Sequence, residues 1–142
     1  MMRVVLDANI FVSAVLKPHS ELARILVLLE EEKIRLVLSK QILAEVGRVL
    51  LYPKLKKRHK QTPKKIDQFL RNTAKNSDLV AGRTQIREIK EDPADNKYLS
   101  AALEGKADFI VSGDHHLKAL EMFRGIRILS PAAFLELIAK LK

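Results

Sequence analysis

The chain contains no cysteine, which excludes a disulfide framework, a thiolate zinc site and a cysteine nucleophile. Tryptophan is also absent, and five Phe with two Tyr are too few for an extended base-stacking platform. The longest apolar run, Ile25-Leu26-Val27-Leu28-Leu29, falls far short of the roughly 18 residues that would span a bilayer. The first residues carry no secretory pattern, so a cytoplasmic location without a membrane partner is expected. Glycine and proline number only five each. No internal repeat or low-complexity linker is visible, so the chain is read as one domain over 1–142.

What is present fits a soluble globular protein: 47% apolar and 30% charged residues over 142 positions, enough to bury a real core. Lys and Arg total 26 against 17 Asp and Glu, a formal charge of +9. Such an excess attracts polyanions or an acidic protein, with RNA and DNA first among them.

Short apolar runs alternate with stretches of helical period, the pattern of βαβ units around a parallel sheet. Strands are expected at Val4–Leu6, Ile34–Leu38, Asp78–Ala81, Phe109–Val111 and Ile126–Leu129. Ser20 reads as the cap of a helix to about Lys33, and Ser39 as the cap of one through about Leu51, closed by Pro53. Between Pro53 and Ile66 lie seven Lys or Arg (54, 56, 57, 58, 60, 64 and 65) and no acid. This is expected to be a basic turn feeding a helix that Thr62-Pro63 opens and that runs to about Lys75. Residues 82–91 carry no readable period. Asp92-Pro93-Ala94-Asp95 should open a helix ending near Gly105, and Ser130-Pro131 an amphipathic C-terminal helix with Phe134, Leu135, Ile138 and Leu141 on its core side.

In an open parallel sheet, sites form beyond the carboxyl ends of the strands. Asp7 follows the first strand there, and Asp114 the fourth. Each also has a plain reading, Asp7 as an Asx turn and Asp114 as a helix cap. Glu45 borders the apolar face of its helix, three residues after Ile42 and four before Val49. Asp95 lies inward of its helix with Leu99 and Ala102, although the helix dipole alone accounts for a first-turn acid. If these carboxylates converge, their repulsion calls for a multivalent cation. Oxygen-only ligands favour Mg²⁺ or Mn²⁺, which suits phosphodiester hydrolysis.

Four blocks in register carry a resemblance: Val4-Val5-Leu6-Asp7-Ala8-Asn9-Ile10-Phe11-Val12-Ser13, Leu43-Ala44-Glu45-Val46, Asp92-Pro93-Ala94-Asp95-Asn96-Lys97-Tyr98-Leu99-Ser100-Ala101-Ala102, and Ala107-Asp108-Phe109-Ile110-Val111-Ser112-Gly113-Asp114. Over nearly its whole length the chain resembles the PIN-domain family of metal-dependent nucleases. The resemblance implies a three-layer α/β/α sandwich around a central parallel sheet. It also implies a Mg²⁺ or Mn²⁺ site formed by Asp7, Glu45, Asp95 and Asp114, with Asn9 and Ser112 supporting. Asp92 is placed as a supporting or second-metal carboxylate. The activity implied is endoribonucleolytic. Small members are toxins of VapBC-like toxin–antitoxin pairs, which implies a homodimer and a cognate antitoxin partner.

A rival of another class is a non-catalytic RNA-binding module, in which the charge binds and the acids only cap helices. A receiver domain would want an acid pair after the first strand, and a haloacid-dehalogenase phosphatase a second acid where Asn9 stands. The 54–65 segment is a candidate phosphate track. His115 and His116 are candidate phosphate contacts rather than ligands of a hard ion, while Arg83 and Arg87 are assigned to either the site or a partner.

Overall fold

The structure, a computed structural model, describes residues 1–17, 19–60 and 62–140; the side chains of residues 56, 58 and 59 lie outside the description. Among the described residues the order is β1 (Met2–Leu6), α1 (Ala8–Leu16), α2 (Ala23–Glu30), β2 (Ile34–Ser39), α3 (Lys40–Leu50), α4 (Pro53–His59), α5 (Pro63–Lys75) and β3 (Asp78–Val80). A 3-10 turn (Pro93–Asp95), α6 (Asn96–Glu104), β4 (Phe109–Val111), α7 (His115–Leu120), β5 (Met122–Phe123), β6 (Ile126–Leu129) and α8 (Pro131–Lys140) complete it.

The strands form one sheet in the order β3-β2-β1-β4-β6-β5, parallel throughout except for β5, which pairs antiparallel with β6. β1 is central, matching Val4 with Leu36 on one side and Phe109 on the other. Its Val4, Val5 and Leu6 are essentially inaccessible. Continuous burial of this kind marks a strand covered on both faces. The connections β1→β2→β3 step one way from β1 and carry α1 to α5. Those from β3 to β4 and on to β6 step the other way and carry α6 and α7, so right-handed crossovers put the two groups on opposite faces. This is the α/β/α sandwich expected from the sequence, with an antiparallel edge added.

Local capping chemistry explains most boundaries. Ser39 Oγ accepts the Ile42 N–H at 3.2 Å and Thr62 Oγ1 that of Lys65 at 3.2 Å, with Pro63 in the first turn. Three expectations need correction. Residues 8–16 form a helix that was not anticipated, because Ala8, Ile10, Phe11, Val12 and Ala14 are all buried and leave little polar face to reveal a period. Ser20 does not begin a helix directly. Its hydroxyl accepts the Ala23 N–H at 3.3 Å from within a preceding turn, and α2 ends at Glu30. Pro53 opens a helix instead of ending one, so the supposed basic turn is helical over Pro53–His59. Phe134 and Leu135 are buried and Ile138 packs on the core; Leu141 lies outside the described residues.

Candidate metal centre

β1 and β4 are neighbours in the sheet, and the chain leaves them toward opposite sides. Their carboxyl ends therefore bracket the switch in strand order, the place where open parallel sheets build their sites. Asp7 and Asp114 stand at those two ends. Asp7 is 5% exposed. It caps α1, its Oδ1 accepting the Ile10 N–H at 2.8 Å, while the buried Ser112 hydroxyl donates to its Oδ2. The same hydroxyl oxygen accepts the Asp114 N–H at 2.9 Å, so one serine ties the two strand ends together. Burial pushes the Asp7 carboxyl up, opposed by the bonds from Ser112, Ile10 and Gly113, and the charge of Asp114 adds to the rise.

Asp114 caps α7, its Oδ1 accepting the N–H groups of His116 at 2.8 Å and Leu117 at 3.3 Å. Asp114 is thus the helix cap of its plain reading, and Asp7, read as an Asx turn, is a cap as well; each cap uses only Oδ1 of its carboxylate. Asp95 and Asp92 come from the 3-10 turn, in which side chains three apart eclipse; the Asp95 N–H bonds the Asp92 carbonyl at 3.0 Å. This geometry brings Asp92, Asp95 and Asp114 together, with one carboxylate oxygen from each within 4.8 Å of the others. Asp92, expected in a supporting place, stands in this closest group, whereas Asp7 and Glu45 lie outside it.

Asp95 Oδ2 is buried and has no hydrogen-bond partner. Burial first, then the charges of Asp114 and Asp92, push the Asp95 carboxyl up to about 7. An unpartnered oxygen amid three crowded acids, all oxygen donors, fits a hard divalent cation.

Glu45 is reached from α6. The Tyr98 hydroxyl donates to Glu45 Oε2 at 2.9 Å and accepts the Ala8 N–H at 3.0 Å, while Lys97 Nζ forms an ion pair with the same Oε2. Neither Tyr98 nor Lys97 was singled out from sequence. The available signal was Tyr98 at i+3 from Asp95, an inward ring whose hydroxyl needs a partner.

Asn9 is exposed on the first turn of α1, and His115 and His116 stack at 3.9 Å between ring centroids beside Asp114. Residues 82–91 form no regular element. Glu104 fixes one end by accepting the N–H groups of Gly82 at 2.8 Å and Thr84 at 2.7 Å. Asn96 fixes the other end by bonding both the N–H and the carbonyl of Ile89 at 2.9 Å. Arg83 is exposed on this strap; Arg87, with Lys97 and Ser100, lines a pocket of about 290 Å³ beside α6.

Comparison with known proteins agrees with this architecture. The uncharacterised protein MJ1680 of Methanocaldococcus jannaschii is 36% identical over 118 residues, covering 83% of this chain and 74% of that protein. The crystal structure of VapBC2 from Rickettsia felis, bound to a DNA fragment from their promoter, contains a similar fold. There the TM-score is 0.56 at 17% identity, over 89% of this chain and 97% of that one. The family model for the PIN domain matches residues 3–116, a span that includes Asp7, Glu45, Asp92, Asp95 and Asp114, and the chain belongs to the PIN-domain family.

Proposed function

We propose that the protein is a divalent-metal-dependent endoribonuclease and the toxin of a toxin–antitoxin pair. The observation that carries the reading is the meeting of Asp92, Asp95 and Asp114 around an unpartnered buried oxygen of Asp95. Membership of the PIN-domain family supports nuclease chemistry. The fold shared with the VapBC2 structure supports the pairing with an antitoxin.

In this reading Asp7, Glu45, Asp95 and Asp114 hold Mg²⁺ or Mn²⁺, with Asp92 beside them. A bound divalent ion supplies an acidified water and neutralises charge developing on the phosphate. The protein's own part is positional. Ser112 holds Asp7 and the start of the Asp114 loop in fixed relation, and Asn9 is the supporting polar residue on the first turn of α1. Tyr98 fixes Glu45 against the first turn of α1, and Lys97 balances its charge until substrate arrives. Asp95, holding a proton near neutrality in the metal-free protein, gives it up as the site is loaded.

The test is incubation of the purified protein with defined RNAs, with Mg²⁺ or Mn²⁺ and with chelator. Ion-dependent internal cleavage is expected. The capping roles of Asp7 and Asp114 favour one rival, a non-catalytic RNA-binding module, and RNA bound but never cut under either ion would establish it. The toxin assignment adds a homodimer in the cytoplasm and growth arrest on expression, relieved by co-expressing a cognate antitoxin. No helix among the described residues is long and apolar enough to cross a membrane.

A further inference from the structure

The stretch from Pro53 to Lys65 is the most one-sided run of charge in the chain, with seven cations and no acid. Of these, Lys54, Lys57, Lys60, Lys64 and Lys65 have described side chains. All five are exposed, and none pairs with a carboxylate among the described residues. Lys64 and Lys65 occupy the first turn of a 13-residue helix that has no acid there, against the positive end of its dipole. Local stability does not account for that choice.

The position of the segment relative to the acids follows from packing. α1 starts at the carboxyl end of β1, and α5 leads down to the amino end of β3, so both run away from the acidic end of the sheet. A cavity of about 630 Å³ confirms the shared direction. Val15 of α1, Asn76 at the end of α5 and Ile34 at the start of β2 meet around it. Phe11 of α1 and Phe69 of α5 touch, with ring centroids 5.9 Å apart. At 1.5 Å per residue, Asp7 lies roughly 6 Å above this contact and Pro63 roughly 9 Å above it. The first turn of α5 therefore lies toward the same end of the sheet as Asp7. α4 follows α3 and packs against it, with Lys54 and Lys57 exposed.

We propose that the exposed lysines of α4 and the first turn of α5 (Lys54, Lys57, Lys60, Lys64 and Lys65) form a track that holds the sugar–phosphate backbone of RNA and delivers it to the acidic site from the side of β3. The inference rests on the ribonuclease reading and adds the substrate's path. An acidic protein would also be drawn to lysines. RNA is favoured because the first turn of α5 lies toward the end of the sheet that carries a site suited to phosphodiesters.

The experiment measures binding of a fluorescent unstructured oligoribonucleotide in chelator, where no cleavage intervenes, over a series of KCl concentrations. The wild-type chain is compared with a variant carrying Lys54→Ala, Lys57→Ala, Lys60→Ala, Lys64→Ala and Lys65→Ala. A control carries Lys106→Ala, Arg124→Ala and Arg127→Ala, exposed cations elsewhere on the molecule. Each phosphate contact on a single strand contributes about 0.7 to the slope of log affinity against log salt. The five-fold variant should therefore lose up to about 3.5 of that slope, and affinity should fall at least tenfold at low salt. The control should keep its slope, and circular dichroism should show all three folded.

An unchanged slope in the five-fold variant overturns the track. So does loss of binding to an acidic polyglutamate peptide with RNA binding intact, because the face would then serve a protein. The two readings fail separately. RNA that is bound through these lysines but never cut under Mn²⁺ removes the nuclease reading and leaves the track. RNA cut by the five-fold variant with unchanged KM removes the track and leaves the nuclease.

Discussion

The Tyr98 hydroxyl is a two-way link: it accepts the Ala8 N–H at 3.0 Å and donates to Glu45 Oε2 at 2.9 Å, so the first turn of α1 and the middle of α3 are fixed to one another through α6. Burial holds this phenol well above its ordinary range, so it remains a donor at any physiological pH. Tyr98→Phe keeps the ring and orphans a buried N–H, which should cost about 1–3 kcal/mol of stability. Loss of a group that orients a ligand should also weaken divalent-ion affinity by roughly 10–100-fold. Titrating Mn²⁺ against melting temperature separates the two effects. If ion affinity holds while stability falls, the hydroxyl is structural and does not position Glu45.

A second prediction concerns the packing of α6 on β2. A Cβ on Gly105 would lie 2.4 Å from Val37 Cγ1 and 3.2 Å from the Ala101 carbonyl oxygen. The backbone itself is ordinary, with φ at −87°, so the obstacle is the neighbour alone. Val37 is fully buried, and its branched side chain has little freedom to turn aside. Gly105→Ala should destabilise by about 1–3 kcal/mol, lowering the melting temperature by roughly 3–12 °C. Adding Val37→Ala should recover part of the loss. A single variant that melts with the wild type would refute the clash.

Such close approaches are invisible in the sequence, whereas much else was legible. Ser39, Thr62-Pro63 and Ser130-Pro131 announce helix starts because capping is local and each hydroxyl accepts an N–H three positions away, while at Asp92-Pro93 the proline alone marks the start of the 3-10 turn. Val4-Val5-Leu6 and Phe109-Ile110-Val111 read as buried strands because both faces are covered. α1 escaped notice for the same reason, since a helix buried nearly all round loses the contrast that reveals its period. α4 was taken for a turn although Lys and Arg are good helix formers and Pro53 suits a first turn. The approach of the acids follows from strand order. Which carboxylates meet does not, because it depends on the eclipsed i, i+3 geometry of the 3-10 turn at Pro93.

Asp95 gives the metal-free protein a definite pH signature. Its carboxyl rises from an ordinary 3.8 to about 7 on folding, chiefly through burial and then through Asp114 and Asp92. Between those values the folded chain holds a proton that the unfolded chain has released. Stability therefore falls as pH rises across that window and levels off above it. Asp7, also raised, contributes in the same direction. Melting in chelator from about pH 4 to 8 should show the decline, and Asp95→Asn should flatten it while Mn²⁺ restores stability near neutrality. Equal slopes for wild type and variant would show that Asp95 does not carry the effect.

Removal of one charge at a time tests the centre itself. Asn is as good a cap as Asp, so Asp7→Asn should retain the bond from the Ile10 N–H, and Asp114→Asn those from His116 and Leu117. Folding should survive both changes. In chelator at neutral pH Asp7→Asn should melt no lower than the wild type, because a buried carboxyl raised above its ordinary value disfavours the native state once ionised. RNA cleavage should drop by more than the roughly 100-fold associated with groups that merely orient a ligand. Mn²⁺ should then stabilise either variant less than it stabilises the wild type. Full turnover in both variants would mean that these acids cap helices and do no more, and the chemistry would have to be sought elsewhere on the molecule.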